Sequence, residues 1–331
     1  MTRPSEDDLI ARFFAPLATA AGADGLTDDA AVVPEGDGDL VVTKDMAIAG
    51  VHFFPDDPPD LIAAKALRVN LSDLAAKGAV PAGFLLGLGL PPDWTEAFLA
   101  AFADGLRRDI ETYRCPLFGG DTVKMPGPLT LSVTAFGRAQ RTVRRRGARP
   151  GDIICVTGTI GDGALGVLAR GAERDPAAAP PWLGALTADQ RRHLIDRYLA
   201  PRPRTALAAA VSRYAHAAMD VSDGLAGDLG KMMAASGCGA VVRIADVPLS
   251  SAARAALAAD PALRHRVMTG GDDYEILLSC PPEEYAGLAV AAGQAGVSLA
   301  VIGEVTAAGR GDFLDPDGKA VAFGSGRYEH F

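Results

Sequence analysis

Apolar and polar positions along this chain switch repeatedly between a two-residue and a helical period. Residues 40–43 form a short β-like run that ends at Lys44-Asp45. Residues 60–77 carry Leu61, Ala64, Leu67, Leu71 and Leu74 at helical spacing, and Gly78 stops the run. Residues 84–90 read as a strand closed by Pro91-Pro92, 95–113 as an amphipathic helix, and 117–118 and 129–136 as further strands. The Arg-rich stretch 138–151, which closes with Arg149-Pro150-Gly151-Asp152, reads as a boundary. Beyond it the pattern gives strand 153–157, a proline-bearing surface loop at 175–187, helices 188–198 and 203–213, strand 217–221 and helix 225–236. Strands 240–244, 274–280 and 299–305, with helix 283–295 between the last two, complete the series. There is no short-period repeat. The expectation is an α/β (α+β) chain of two domains, residues 1–140 and 141–331. Gly119-Gly120-Asp121 and Ser222-Asp223-Gly224, each expected where a strand ends, hint at two related halves.

Composition narrows the class. The chain has 331 residues, 49% of them hydrophobic, enough to bury the core of one large or two ordinary domains. Its formal net charge of -9 argues against general nucleic-acid binding, which needs a basic footprint. A chain this acidic that handles phosphates has to bring a cation to them. Cys115, Cys155, Cys238 and Cys280 form no CxxC pair and sit among apolar or small residues, so buried free thiols in a reducing cytosol are expected. The first eight residues lack the apolar core of a signal peptide. The longest apolar stretch, near 84–90, is broken by glycine and far short of a membrane span. A cytoplasmic protein follows as the expectation.

Three motifs invite functional readings. Gly161-Asp162-Gly163-Ala164-Leu165-Gly166 fits GxGxxG between a strand and a helix, but the acidic residue due about 20 positions later is missing. A tight strand-to-helix turn explains it better than a dinucleotide site. Gly230-Lys231 lacks the first glycine of a P-loop and is followed by Met232 rather than Ser or Thr. Arg138, Arg141, Arg144, Arg145, Arg146 and Arg149 read mostly as a solvated interdomain turn, with one or two of them able to reach a phosphate.

Chemistry concentrates in dispersed acidic clusters: Asp28-Asp29, Asp45, Asp73, Asp121, Asp220-Val221-Ser222-Asp223 and Asp272-Asp273. Most lie beside Gly, Ser or Thr. Asp28-Asp29 reads equally as an Asx-turn or cap and as a ligand pair. Asp73 sits in an otherwise apolar helical run, where the alternative is a satisfied buried carboxylate. The glycines before Asp121 permit close backbone approach to a ligand. Asp220 and Asp223 precede a helix N-terminus, a place that favours anions. Carboxylates buried together are unfavourable unless cations neutralise them, and oxygen-only ligands with small polar neighbours suit Mg²⁺.

In order along the chain, several segments resemble the thiamine-monophosphate kinase family, within the superfamily of aminoimidazole ribonucleotide synthetase and selenophosphate synthetase. They are Asp28-Asp29-Ala30-Ala31, Thr43-Lys44-Asp45 through His52-Phe53, Lys65-Ala66-Leu67 through Lys77-Gly78-Ala79, and Gly119-Gly120-Asp121-Thr122. Gly147-Ala148-Arg149-Pro150-Gly151-Asp152, Asp220-Val221-Ser222-Asp223-Gly224-Leu225, Gly270-Gly271-Asp272-Asp273-Tyr274-Glu275 and Tyr328-Glu329-His330-Phe331 follow. The His52 segment and the His330-Phe331 ending favour the kinase over its relatives.

The resemblance implies a two-domain aminoimidazole ribonucleotide synthetase-like fold, with N-terminal strands pairing into a barrel across a homodimer and a C-terminal α/β domain. It implies ATP and thiamine monophosphate as substrates and several Mg²⁺ ions. Asp29, Asp45, Asp73, Asp121 and Asp220 match metal positions, as do Thr43 and Asp223, and Asp28 adjoins them. Asp45, Asp121 and Asp223 would act in catalysis through Mg²⁺. Gly120, Asp121, Arg145 and Ser222 match the ATP side; His52, Asp272 and Tyr328 match the substrate side. Tyr328 would stack on a thiamine ring, with packing of the tail as the alternative. This chain departs from the family pattern at Thr27, Lys44 and Asp272. The implied reaction is direct γ-phosphoryl transfer, with a phosphate oxygen as nucleophile and no general base. Other enzymes of the superfamily, a non-catalytic Mg-nucleotide-binding module and a metal phosphohydrolase are the alternatives. Selenophosphate synthesis usually wants an N-terminal reactive Cys, and none precedes Cys115. No acidic ligand has been lost, as a relic module would lose one. Dinuclear hydrolases usually mix His with Asp, and His is scarce among these clusters.

Overall fold

The structure is a computed structural model that describes residues 5–27, 30–307 and 311–323. After a short helix α1 (Glu6–Leu9), the first half runs β1 (Asp39–Ile48), α2 (Pro59–Ala76), β2 (Val80–Leu90), α3 (Glu96–Tyr113), β3 (Leu117–Lys124) and β4 (Thr130–Ala139). These strands form a four-stranded sheet in the order β1-β4-β2-β3, antiparallel except for the parallel β2–β3 pair. Alternation along β1 turns Val41, Thr43, Asp45 and Ala47 toward α2 and leaves Leu40, Val42, Lys44 and Met46 exposed on the other face. Thr95 caps α3 by accepting from Phe98 N.

Helix α2 is buried almost all round. Pro59 opens it, Ile62, Leu67, Leu71 and Leu74 pack in the first core, and Ala75 and Ala76 reach into a core of the second half. Gly78, at φ +73°, ends it where a Cβ would stand 2.8 Å from Ser212. This helix therefore carries its polar residues, Lys65, Ser72 and Asp73, to the junction of the two halves.

Residues 140–152 lead into β5 (Ile153–Thr157), α4 (Asp162–Arg174), α5 (Ala188–Leu199), α6 (Ala208–Tyr214), β6 (Ala217–Asp220), α7 (Leu225–Ser236) and β7 (Gly239–Arg243). Then come α8 (Ser251–Ala259), α9 (Leu263–Thr269), β8 (Ile276–Cys280), α10 (Tyr285–Gln294), β9 (Leu299–Thr306), β10 (Gly311–Leu314) and β11 (Ala320–Val321). The seven strands form one sheet, β11-β10-β7-β9-β5-β8-β6, with only β7–β10 parallel.

Four expectations change. Asp45 does not end its strand, because β1 stays paired with β4 as far as Ile48. Gly119-Gly120-Asp121-Thr122 is strand rather than loop. A Cβ on Gly120 would lie 2.0 Å from the Leu86 carbonyl oxygen, so that glycine serves strand packing. Residues 175–187 are not simply a surface loop: Trp182, Leu183 and Leu186 are buried against Leu165, Leu194 and Val267. Pro176 and Pro181 start 3₁₀ turns, and the apolar residues after Pro181 supply the anchor. Alanine-rich α8 and the two-turn α9 escape a reading based on periodicity; Ser250 caps α8 by accepting from Ala253 N. The four cysteines are free thiols, three of them buried.

Candidate active site

The junction encloses a cavity of about 700 Å³ lined by Asp45 from β1, Asp73 and Lys65 from α2, Asp220 from the end of β6, Ser222 and Asp223 from the following loop, and His52 and Asp272. Seven of the sequence-predicted positions thus converge from stretches more than 200 residues apart.

The carboxylates press on one another. Burial first, and then the neighbouring Asp73, pushes Asp45 up to about 6. Asp220, 6% exposed, is held well above the ordinary carboxylate range by burial and by Asp73. Thr43 turns to the same face and its hydroxyl donates to Asp73 Oδ2. Asp73 is therefore half-buried and bonded, but at a cavity wall rather than inside the core. Lys77, one turn on, donates from Nζ to Ala218 O at 2.7 Å. Burial lowers its pKa, opposed by Asp220 and Asp73 and assisted by Arg145.

Asp223 is bonded by Lys231 Nζ, the lysine that had suggested a P-loop. Lys231 also holds the buried Asp228 at 2.8 Å, and Asp228 Oδ2 accepts from Asp223 N at 2.9 Å. Asp228 was not among the expected residues. Its only sequence signal is a position in the first turn of α7.

On the opposite wall, Asp272 adopts φ +61° and Tyr274 φ +51°, a region that costs about 1–3 kcal/mol for such residues. Backbone bonds from Asp272 N to Ser222 O and from Tyr274 N to Val221 O, both 2.9 Å, pin the segment to the Asp220–Asp223 loop. Beneath it, the fully buried Glu275 accepts from Thr157 Oγ1, Arg197 Nη2 and Arg204 Nε at 2.7, 2.9 and 2.7 Å. Asp273 accepts from Gly161 N and Gly163 N at the start of α4, so the GxGxxG match is a strand-to-helix turn that holds an aspartate. Lys65 Nζ bonds Asp272 at 2.9 Å and lies 3.8 Å from the Tyr198 ring centroid. His52 Nδ1 accepts from Ile48 N at 3.0 Å, which fixes the other ring nitrogen as the N–H of the neutral imidazole.

Other expected residues lie elsewhere. Asp121 and Gly120 are exposed on β3 and line a second cavity of about 710 Å³ on the outer side of the first sheet; Lys44 borders both cavities. Arg145 is exposed on the 140–152 segment. Asp28, Asp29 and Tyr328 lie outside the described residues. Among the described residues no three His, Cys, Asp or Glu side chains form a ready-made metal group. The all-oxygen donors Asp45, Thr43, Asp73 and Asp220, whose repulsion raises two pKa values, nevertheless fit a hard cation.

Residues 27–139 match the AIR synthase related protein N-terminal domain and residues 149–315 the AIR synthase related protein C-terminal domain. The chain is 44% identical over 308 residues to thiamine-monophosphate kinase of Caulobacter vibrioides, covering 91% of this chain and 84% of that one. It resembles the crystal structure of thiamine-monophosphate kinase from Stenotrophomonas maltophilia K279a at TM-score 0.78 and 38% identity, over 89% and 91% of the two chains. AaThiL complexed with AMPPCP and TMP matches at TM-score 0.77 and 29% identity, over 100% and 99%.

Proposed function

Because this chain belongs to the AIR synthase related proteins and, among them, to the thiamine-monophosphate kinase family, we propose that it transfers the γ-phosphoryl group of ATP directly to thiamine monophosphate, giving ADP and thiamine diphosphate. The observation that carries this reading is the convergence of Asp45, Asp73, Asp220 and Asp223 with His52 and Asp272 on one cavity. A relative of nearly equal length is named for its complex with AMPPCP and TMP, which supports the same pair of substrates.

Asp45, Asp73, Asp220, Asp223 and Thr43 would hold Mg²⁺, with Asp28, Asp29 and Asp121 completing the set. Bound there, Mg²⁺ supplies charge neutralisation between two polyanions. The chain's own residues do the positioning. Ser222, Gly120, Asp121 and Arg145 face the nucleotide, while His52, Asp272 and Tyr328 orient the acceptor. The acceptor phosphate is already largely deprotonated at neutral pH, so no side chain has to remove a proton. Alignment and charge stabilisation are what such a transfer requires.

The outer face of the first sheet exposes Leu40, Val42, Met46, Leu85 and Val123. An apolar face of this kind supports pairing with a second copy of the chain into a homodimer, which would bring Asp121 beside the partner. We read residues 1–140 as the nucleotide- and Mg-binding, dimerising unit and 141–331 as the second, in a cytoplasmic enzyme that binds no nucleic acid. No described helix is long and apolar enough to cross a membrane.

Incubation with ATP, Mg²⁺ and thiamine monophosphate, followed by separation of the thiamine esters, tests the proposal. Thiamine diphosphate should appear in step with ADP. ADP without the diphosphate ester would exclude this activity in favour of another in the superfamily.

A further inference from the structure

A second basic feature lies apart from the reaction cavity. Residues 142–147 run beside the edge strand β6, with Ala218 N donating to Arg144 O at 3.0 Å and a bend at Arg145. Arg145 lies on the Lys77 side, close enough to lower that lysine's pKa. Arg144 and Arg146 point the other way, into a recess of about 370 Å³ that also holds His216 and Ser236. This recess shares no lining residue with the two cavities described above.

Its two arginines and its serine are arranged as donors. Among the described residues the exposed Arg144 and Arg146 side chains have no ion-pair or hydrogen-bond partner, whereas sixteen other Lys or Arg side chains of this acidic chain are engaged in one or the other. His216 Nδ1 donates to Asp152 at 2.9 Å, which leaves Nε2 for the recess, an acceptor in the neutral ring and a donor in the imidazolium. Ser236 Oγ accepts from Gly147 N at 3.1 Å and Ala148 N at 3.2 Å, so its acceptor capacity is used and its proton remains to be given. Gly147, at φ +126°, has no room for a Cβ, which would fall 2.7 Å from His216 O, and it lines the recess. Thr142 also lines the recess, with its hydroxyl committed to Asp39. The last turn of α7 contributes a partial negative charge smaller than the two guanidinium charges opposite it.

We infer that Arg144, Arg146, His216 and Ser236 form a second anion site, which takes the phosphate or diphosphate group of a small phosphate ester. Two planar guanidinium groups, the Ser236 hydroxyl and, as imidazolium, His216 around a recess of this size match tetrahedral phosphate oxygens. Because the same short segment carries Arg145 on its other side, occupation of the site would fix the backbone that positions Arg145. The inference does not depend on which acceptor the reaction cavity uses.

The test is calorimetric titration of the full chain with inorganic pyrophosphate in EDTA, where the carboxylate-lined cavity repels anions and the arginine recess does not. Binding at one site per chain is expected. Arg144→Gln with Arg146→Gln should weaken it at least about tenfold, and His216→Gln should weaken it less. Thermal unfolding should not move in the arginine variant, since neither side chain has a partner to lose. Repeating the titration with ADP and with thiamine diphosphate identifies the rest of the ligand by whichever binds more tightly than pyrophosphate. No binding in EDTA, or equal affinity in the double variant, would overturn the inference.

Discussion

Lys65 in α2 and Asp272 in the loop before β8, 207 positions apart, are joined by a 2.9 Å ion pair across the wall of the central cavity. Lys65 is largely buried and stacks on Tyr198, so it has one geometry available. It ties the strained Asp272 to the helix that also carries Asp73. Lys65→Met keeps the packing and removes the charge. It should raise the KM for thiamine monophosphate about tenfold and lower stability by about 1–2 kcal/mol, the lower part of the range because Asp272 is partly exposed. Steady-state kinetics and urea unfolding check both numbers.

Asp73→Asn separates function from folding. Asp73 raises the pKa of both Asp45 and Asp220, so the neutral amide relieves repulsion that the empty protein carries. Turnover should fall by about two orders of magnitude or more, while thermal stability in EDTA rises or holds. Any Mg²⁺-dependent gain in melting temperature should shrink. A large loss of stability in EDTA would make Asp73 a structural residue.

Glu275→Gln should be the most destabilising change near the site, at about 3–5 kcal/mol, because it strands Arg197 and Arg204 without their buried counter-charge. Arg197 has least to spare: its Nε and Nη1 already lack partners. Urea denaturation gives the value directly.

Asp162 supplies a pH signature away from the reaction cavity. Burial alone would raise its pKa, but bonds from His193, Ser250 and Thr159 outweigh burial and hold it below the ordinary 3.8. A depressed folded-state pKa means stability that is complete above the unfolded value and is lost as pH falls through the folded one. The destabilisation caused by Asp162→Asn should therefore be full at pH 7 and diminish below about pH 3.8. Denaturant midpoints across pH 2–7 measure it; a penalty independent of pH would contradict the assignment.

Much of this site was legible in the residues. The periodicity over 60–77 located α2, and Asp73, polar within an apolar run, stood out as a residue with a purpose. Asp220 lies at a strand end as its residues suggest, whereas Asp45 lies inside β1, because pairing with β4 and not local sequence decides where that strand ends. The glycines before Asp121 suggest room for a ligand, and only the tertiary structure shows that Gly120 also has to admit the Leu86 carbonyl of a neighbouring strand. Lys65, Asp228 and Glu275 gave no individual signal. Their roles arise from contacts such as Lys65–Asp272 and Arg204–Glu275, which only the tertiary arrangement creates.

The most direct measurement of the central claim is a single-turnover reaction with γ-labelled ATP and thiamine monophosphate, quenched at successive times. Direct transfer between substrates aligned by the aspartate-lined cavity predicts that label passes from ATP to thiamine diphosphate with none on the protein, and that Asp73→Asn slows this step without diverting it. Label accumulating on the protein, or released as inorganic phosphate in place of thiamine diphosphate, would contradict the account.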